Sequence, residues 1–229
     1  MPLSDTAPHH RFAFLVPLFA FGLVGIYVVM RRSIPSMPAE LAFVPADVAN
    51  GWHALVHASS RSWHESATSA VNMVLHMLGA SILVAGPLHL ASAVLFVWLF
   101  GDNVEGRLGI VRMSMLWIAG ALVAGVTHVW LHPRGQLPVV GATGAIASLL
   151  GAYLALFRRA SVRFLRMVEL PCWLFFASFF VLQIGPVQQA FGWVGVLDGI
   201  DVRAHFASLA AGAAGTPLLA LGTKPPKPR

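Results

Sequence analysis

Gly141-Ala142-Thr143-Gly144-Ala145 and Ala204-His205-Phe206-Ala207-Ser208 are two small-residue segments set deep in apolar sequence, one carrying a hydroxyl and the other an imidazole. Small residues let membrane helices approach closely, and polar side chains are costly in hydrocarbon. An alcohol and a histidine on two such spans therefore point to a buried reaction centre or its relic.

The composition agrees with a bilayer setting. At 57% hydrophobic and 10% charged residues, with a mean hydropathy of +0.74, a chain of 229 residues cannot hide its apolar surface inside a water-soluble globule. The formal net charge of +6 would suggest nucleic acid in a soluble chain, but Lys and Arg cluster here at the ends of apolar spans. They read as topology signals, and no nucleic-acid partner is expected. The single cysteine, Cys172, lies in an apolar run, so neither a disulfide framework nor a cysteine metal site is available.

Outward from the two segments, six apolar stretches are long enough to cross about 30 Å of hydrocarbon, the second and fourth being short or glycine-rich. They run from Phe12 to Met30, Pro87 to Phe100, Met113 to Leu131, Val139 to Phe157, Met167 to Ile184 and Val202 to Leu221. The first is followed by Arg31-Arg32 with no small-residue cleavage site, and reads as a retained helix. Since helices satisfy their own backbone in lipid, the expected class is an all-α polytopic membrane protein.

With both termini cytoplasmic, ten basic residues lie inside: Arg11, Arg107, Arg112, Arg158, Arg159, Arg163, Arg166, Lys224, Lys227 and Arg229. Five, namely Arg31, Arg32, Arg61, Arg134 and Arg203, lie outside. The positive-inside rule favours this orientation, with Arg31-Arg32 opposing it locally.

The expected organisation is a cytoplasmic segment over 1–11, a transmembrane domain over 12–222 and a disordered basic tail over 223–229. The outer connection 31–86 contains Trp52, Trp63 and the apolar run Met73 to Ala85, which should lie in or against the interface. The Pro-rich tail, ending Lys227-Pro228-Arg229, should be extended near anionic lipid.

Gly101-Asp102-Asn103-Val104-Glu105-Gly106-Arg107-Leu108-Gly109 resembles the Gly-x-x-x-Glu-x-x-x-Gly element at the cytoplasmic end of the second core helix in the rhomboid family of intramembrane serine proteases. Gly86 to Phe96 resembles the entry to that helix, Gly141 to Gly151 the nucleophile helix, and Ala204 to Gly212 the histidine helix. Order and spacing agree over most of Gly86 to Gly215. The resemblance implies a six-transmembrane-helix rhomboid-like bundle, a transmembrane protein as substrate or client within the lipid bilayer, and a bacterial inner membrane.

In rhomboids a Ser in Gly-x-Ser-Gly attacks a peptide bond, a His on the last core helix takes its proton, and a His and an Asn on the second helix help hold the oxyanion. By that resemblance His205 is the base, and Thr143 stands at the nucleophile position in place of Ser. His89-x-x-x-Ala93 keeps the histidine and loses the amide donor, and Val84 stands where a further His is often found. His89 and the Thr143 backbone amide are the implied oxyanion site. Gly101, Glu105, Gly109, Gly141, Gly144 and Gly212 form the structural motif, and no metal or organic cofactor is required.

The extra methyl of Thr stiffens χ1 and must fit where helices approach through Gly141, Gly144 and Gly212. Overpacking costs roughly 1 to 3 kcal/mol. Losing an oxyanion donor costs roughly 10² to 10³ in turnover. Against this, an abandoned site would have little reason to keep an imidazole in the membrane. Two functions follow: a catalytically impaired or non-proteolytic rhomboid engaging transmembrane segments, or an intramembrane endopeptidase using a Thr143/His205 dyad.

Plainer readings stand beside these. Thr143 and His205 also read as a structural pair, His89 as an anchor for the outer loop, and Glu105 as a cap for backbone amides or a partner of Arg107 or Arg112. His53 and His57 share one helical face, with His64 and Glu65 after them, but a surface cluster of this kind is usually solvated. His76 and His128 show no spacing that demands haem. Transport lacks support, since the spans hold Glu169 and few other charges.

Overall fold

The computed structural model describes residues 3–7, 13–33, 41–57, 63–84, 86–164, 168–181 and 201–223. They form eight helices: α1 (Leu15–Ser33), α2 (Pro45–Val56), α3 (Trp63–Ala80), α4 (Pro87–Leu108), α5 (Ile110–Leu131), α6 (Thr143–Leu156), α7 (Cys172–Val181) and α8 (Val202–Leu219). Three short strands join them: β1 (Leu3–Asp5), β2 (Ser161–Phe164) and β3 (Val168–Pro171). Among the described residues two helices are long and apolar enough to cross a membrane, Leu15–Arg32 and Ile110–Leu131.

Local chemistry sets the boundaries. α2 and α4 each begin at a proline, whose fixed φ suits the first turn and whose missing amide has no intrahelical role there. Between α4 and α5 the chain reverses at Gly109, φ 83°, a left-handed backbone that glycine adopts without strain. Its amide donates to the Glu105 carbonyl at 2.7 Å, closing the last turn of α4.

α6 is the axis of the molecule, with ten residues from Gly144 to Tyr153 buried. Small residues make this possible. A Cβ on Gly212 of α8 would overlap the Ser148 carbonyl, and one on Gly151 would overlap the Leu209 carbonyl. A Cβ on Gly144 would lie 2.5 Å from the Ala124 Cβ of α5. Buried hydroxyls bridge the same seams. Ser208 Oγ lies 2.6 Å from the Gly144 carbonyl and 3.0 Å from that of Gly120, and Ser148 Oγ donates to the Leu116 carbonyl at 2.6 Å. Such bonds between membrane helices average about 0.6 kcal/mol each, so close van der Waals packing carries most of the association.

The end of the bundle formed by the α1 N-terminus and the α4 C-terminus is closed by two buried acids. Glu105 accepts from the amides of Phe14 (2.7 Å), Leu15 (2.9 Å) and Val16 (3.2 Å), capping the first turn of α1. These amides have no acceptor within their own helix, and a carboxylate complements the positive end of its dipole. Gly101 lies one turn before Glu105; a Cβ there would sit 3.0 Å from Val16 Cγ2, so it lets α1 approach α4. Asp5 accepts from Tyr153 Oη at 2.6 Å and Asn103 Nδ2 at 2.7 Å, anchoring β1 against α4 and α6. β1, β2 and β3 form one antiparallel sheet in that order, with Asp5 opposite Val162 and Val162 opposite Leu170.

These observations correct several expectations. The described residues are mostly helical but not all-α, since two segments between α6 and α7 add a short sheet in which β2 pairs with β1 and β3 with β2. Residues 3–5, within the segment 1–11 expected to be cytoplasmic, form a strand of that sheet. The fourth apolar stretch, Val139 to Phe157, becomes helical only at Thr143, because Val139, Gly141 and Ala142 donate to the carbonyls of Phe43, Ala80 and Leu83. The resulting α6 has 14 residues, about 21 Å at 1.5 Å per residue, short of about 30 Å of hydrocarbon. The fifth stretch, Met167 to Ile184, starts as β3; Pro171 holds the preceding residue extended, and the helix begins after it. In the run Met73 to Ala85, expected in or against the interface, Met77, Ala80, Leu83 and Val84 are buried in protein while Val74 and Leu75 are exposed. The tail beyond Thr223 and the stretch 182–200 lie outside the described residues, as does the His64 side chain.

Candidate active site

At the opposite end from Glu105, Thr143 is the first residue of α6 and His205 lies in the first turn of α8. The tight α6–α8 seam through Gly212 and Gly151 brings the two side chains together, with Thr143 Oγ1 2.8 Å from His205 Nε2. His205 is 8% exposed. For Nε2 to accept the hydroxyl proton, the neutral ring carries its hydrogen on Nδ1. The extended entry to α6 is fixed by the bonds to Phe43, Ala80 and Leu83, so the segments that precede α4 position the threonine.

His89 stands in the first turn of α4. A Cβ on Gly141 would lie 3.3 Å from Thr143 Oγ1 and 3.6 Å from His89 Cε1, so the glycine keeps open the space between hydroxyl and imidazole. Ala93, one turn along α4, is 1% exposed and presents only a methyl. Gly101, Glu105 and Gly109 lie at the far end, where they hold α1 and turn the chain. Gly144 and Gly212 act through close packing.

Two cavities meet at Thr143 and His205. One, of about 10 Å³, is lined by Ser92, Ala93 and Phe96 of α4 together with residues of α6 and by Phe180. The other, of about 960 Å³, is open and reaches from His89 to the ends of α5 and α8. A polar cluster that sequence reasoning missed lines it. His132 Nε2 lies 2.9 Å from Asp201 Oδ2 and 3.1 Å from Arg203 Nη2, and Arg203 Nε donates to Asp201 Oδ1 at 3.1 Å. Asp201 also accepts from the Arg203 amide at 3.0 Å, capping α8 one turn before His205. Burial pushes the Asp201 carboxyl up, but the Arg203 side chain and amide and His132 outweigh it and hold the group below the ordinary carboxylate range. The i, i+4 spacing of His128 and His132 was the available signal in the sequence.

On α2 the rings of His53 and His57 stand 4.3 Å apart, centroid to centroid. Among the described residues no group of three or more His, Cys, Asp or Glu is placed to hold a metal ion. A hydroxyl bonded to a buried imidazole, open to a large cavity, meets the geometric requirement for a nucleophile and its base.

A family model of the rhomboid domain matches residues 71–221. The chain belongs to the rhomboid family. No curated protein matches it. The rhomboid match begins within α3 and ends just after α8, so it contains Thr143, His205, His89, Ala93 and the Asp201 cluster, while β1, α1 and α2 precede it. Together with its apolar helices, this makes the molecule a rhomboid-like integral membrane protein.

Proposed function

We propose that this rhomboid engages transmembrane segments of other membrane proteins at the large cavity and carries a catalytically impaired peptidase site there. The observation that supports it is the 2.8 Å contact between Thr143 and His205, beside an alanine in place of the amide donor. In this reading the bundle spans the bilayer six times, through α1, α4, α5, α6, the stretch that begins with α7, and α8. Both termini face the cytoplasm, and the setting is a bacterial inner membrane. The domain covers 12–222, and α6, too short to span alone, is shielded by its neighbours at the bundle centre.

Thr143 Oγ attacks the carbonyl carbon of a client peptide bond while its proton passes to His205 Nε2, and the carbonyl electron pair moves onto oxygen. His89 and the Thr143 amide, at the positive end of α6, stabilise that charge. Collapse breaks the C–N bond, and the leaving amine takes the proton from His205. Water then hydrolyses the threonyl ester, giving one proton to His205 and restoring the Thr143 hydroxyl. The stiff χ1 of Thr143 slows the first step.

Purified protein in lipid with a transmembrane reporter tests this reading. Slow cleavage by wild type is expected, abolished by His205→Ala and accelerated by Thr143→Ser. A second reading, client binding without cleavage, draws its support from Ala93. Co-purification of the reporter with no cleavage by wild type or Thr143→Ser would establish it.

A further inference from the structure

We infer that the Ser92 hydroxyl is an oxyanion donor of this site, replacing the amide side chain absent at position 93; the inference rests on the peptidase reading above. Ser92, Ala93, Thr143 and His205 line the same cavity of about 10 Å³. A space of that size holds about one water-sized group, the dimension of a single oxygen. It lies where a side chain longer than the Ala93 methyl would reach from α4. Apart from the dyad, Ser92 is, among the described residues, the only one with a polar side chain in the cavity lining. Thr143 gives up its proton during attack and His205 receives it, so neither can serve as a neutral donor to the developing charge. The remaining walls, including Phe96 and Ile146, are hydrocarbon, and a donor aimed into such surroundings acts more strongly than one in water.

Ser92 is also poised to turn. Its Oγ donates at 2.9 Å to the carbonyl of His89, three residues earlier in its own helix. Hydroxyls commonly make this local bond, and it commits no partner from another helix. A carbonyl has two lone pairs and the helical ladder uses one, so His89 remains satisfied when Ser92 leaves. Rotation of χ1 between staggered wells redirects the hydroxyl. As Thr143 Oγ bonds to the carbonyl carbon and the electron pair moves onto oxygen, Ser92 donates a hydrogen bond to it. No proton is transferred. His89 lines the larger cavity and acts from the other side.

The test measures kcat and KM for a transmembrane reporter in lipid, on the wild-type and Thr143→Ser backgrounds, with Ser92→Ala, Ala93→Asn and the double substitution. Ser92→Ala should lower kcat roughly 10²- to 10³-fold, the usual cost of one oxyanion donor, with KM and melting temperature unchanged. With Ala93→Asn present, the same substitution should cost little, because the amide supplies the bond. An unchanged kcat in Ser92→Ala, or an equal loss with Asn at position 93, would overturn the inference while leaving the peptidase standing. No cleavage by wild type or Thr143→Ser would overturn both.

Discussion

His132 Nε2 lies 2.9 Å from Asp201 Oδ2, so the residue that closes α5 holds the residue that caps α8, and His205 follows one turn later. The Asp201 carboxyl is held below its ordinary range. The folded protein therefore binds fewer protons than the unfolded chain near pH ~4, and the cluster's stabilisation is present above that pH and lost as pH falls through the depressed value. Asp201→Asn keeps the cap and removes the charge. Between about pH 5 and 3 the wild-type melting temperature should fall more steeply than that of the variant; parallel curves would refute the assignment.

Glu105 supplies acceptors to three amides at the start of α1. Glu105→Ala should lower stability by about 2 kcal/mol, the upper end for loss of a helix cap, and Glu105→Gln by less, since an amide oxygen still accepts. Unfolding in mixed detergent would measure both. Equal effects of Ala and Gln would show that acceptor geometry at this position is unimportant.

Glycine-to-alanine changes should have opposite outcomes on two helices. At Gly212 the new methyl meets the Ser148 backbone, whereas at Gly22 nothing lies within 4 Å. Gly212→Ala should cost about 1 to 3 kcal/mol and move His205 away from Thr143. Gly22→Ala should be neutral or stabilising, since alanine is the better helix former. Thermal unfolding of the two variants in one lipid decides the matter.

Asp5 holds Tyr153 and Asn103 together at the closed end. Asp5→Ala leaves two buried donors without that acceptor, at about 1 to 3 kcal/mol each before relaxation. The loss should be smaller when Tyr153→Phe is combined with it than the two single effects added, as expected of groups sharing one bond. Additive losses would contradict the network.

The meeting of Thr143 with His205 was legible because small residues around a hydroxyl and an imidazole marked the two segments, and the resemblance to rhomboids set them as nucleophile and base positions. Glu105 between Gly101 and Gly109 was legible as a cap candidate for the same reason. The sheet was not, because Ser161–Phe164 and Val168–Pro171 are only four residues each and adjoin apolar runs that read as spans. Nor was Asp5, since a single acid near a terminus gives no periodic signal. Asp201 lay just before a span, where a charge reads as a topology marker. Ser92 was hidden by Ala93, whose lost amide drew the reading to what is absent.

The strand at Leu3–Asp5 reaches its partners late. Asp5 and Tyr153 are 148 residues apart, and Thr6 accepts the amide of Ser161 across 155. During synthesis this strand must therefore wait until the residues beyond α6 have emerged before the sheet and its acid anchor can form. Closure of that end is therefore a late event of biogenesis.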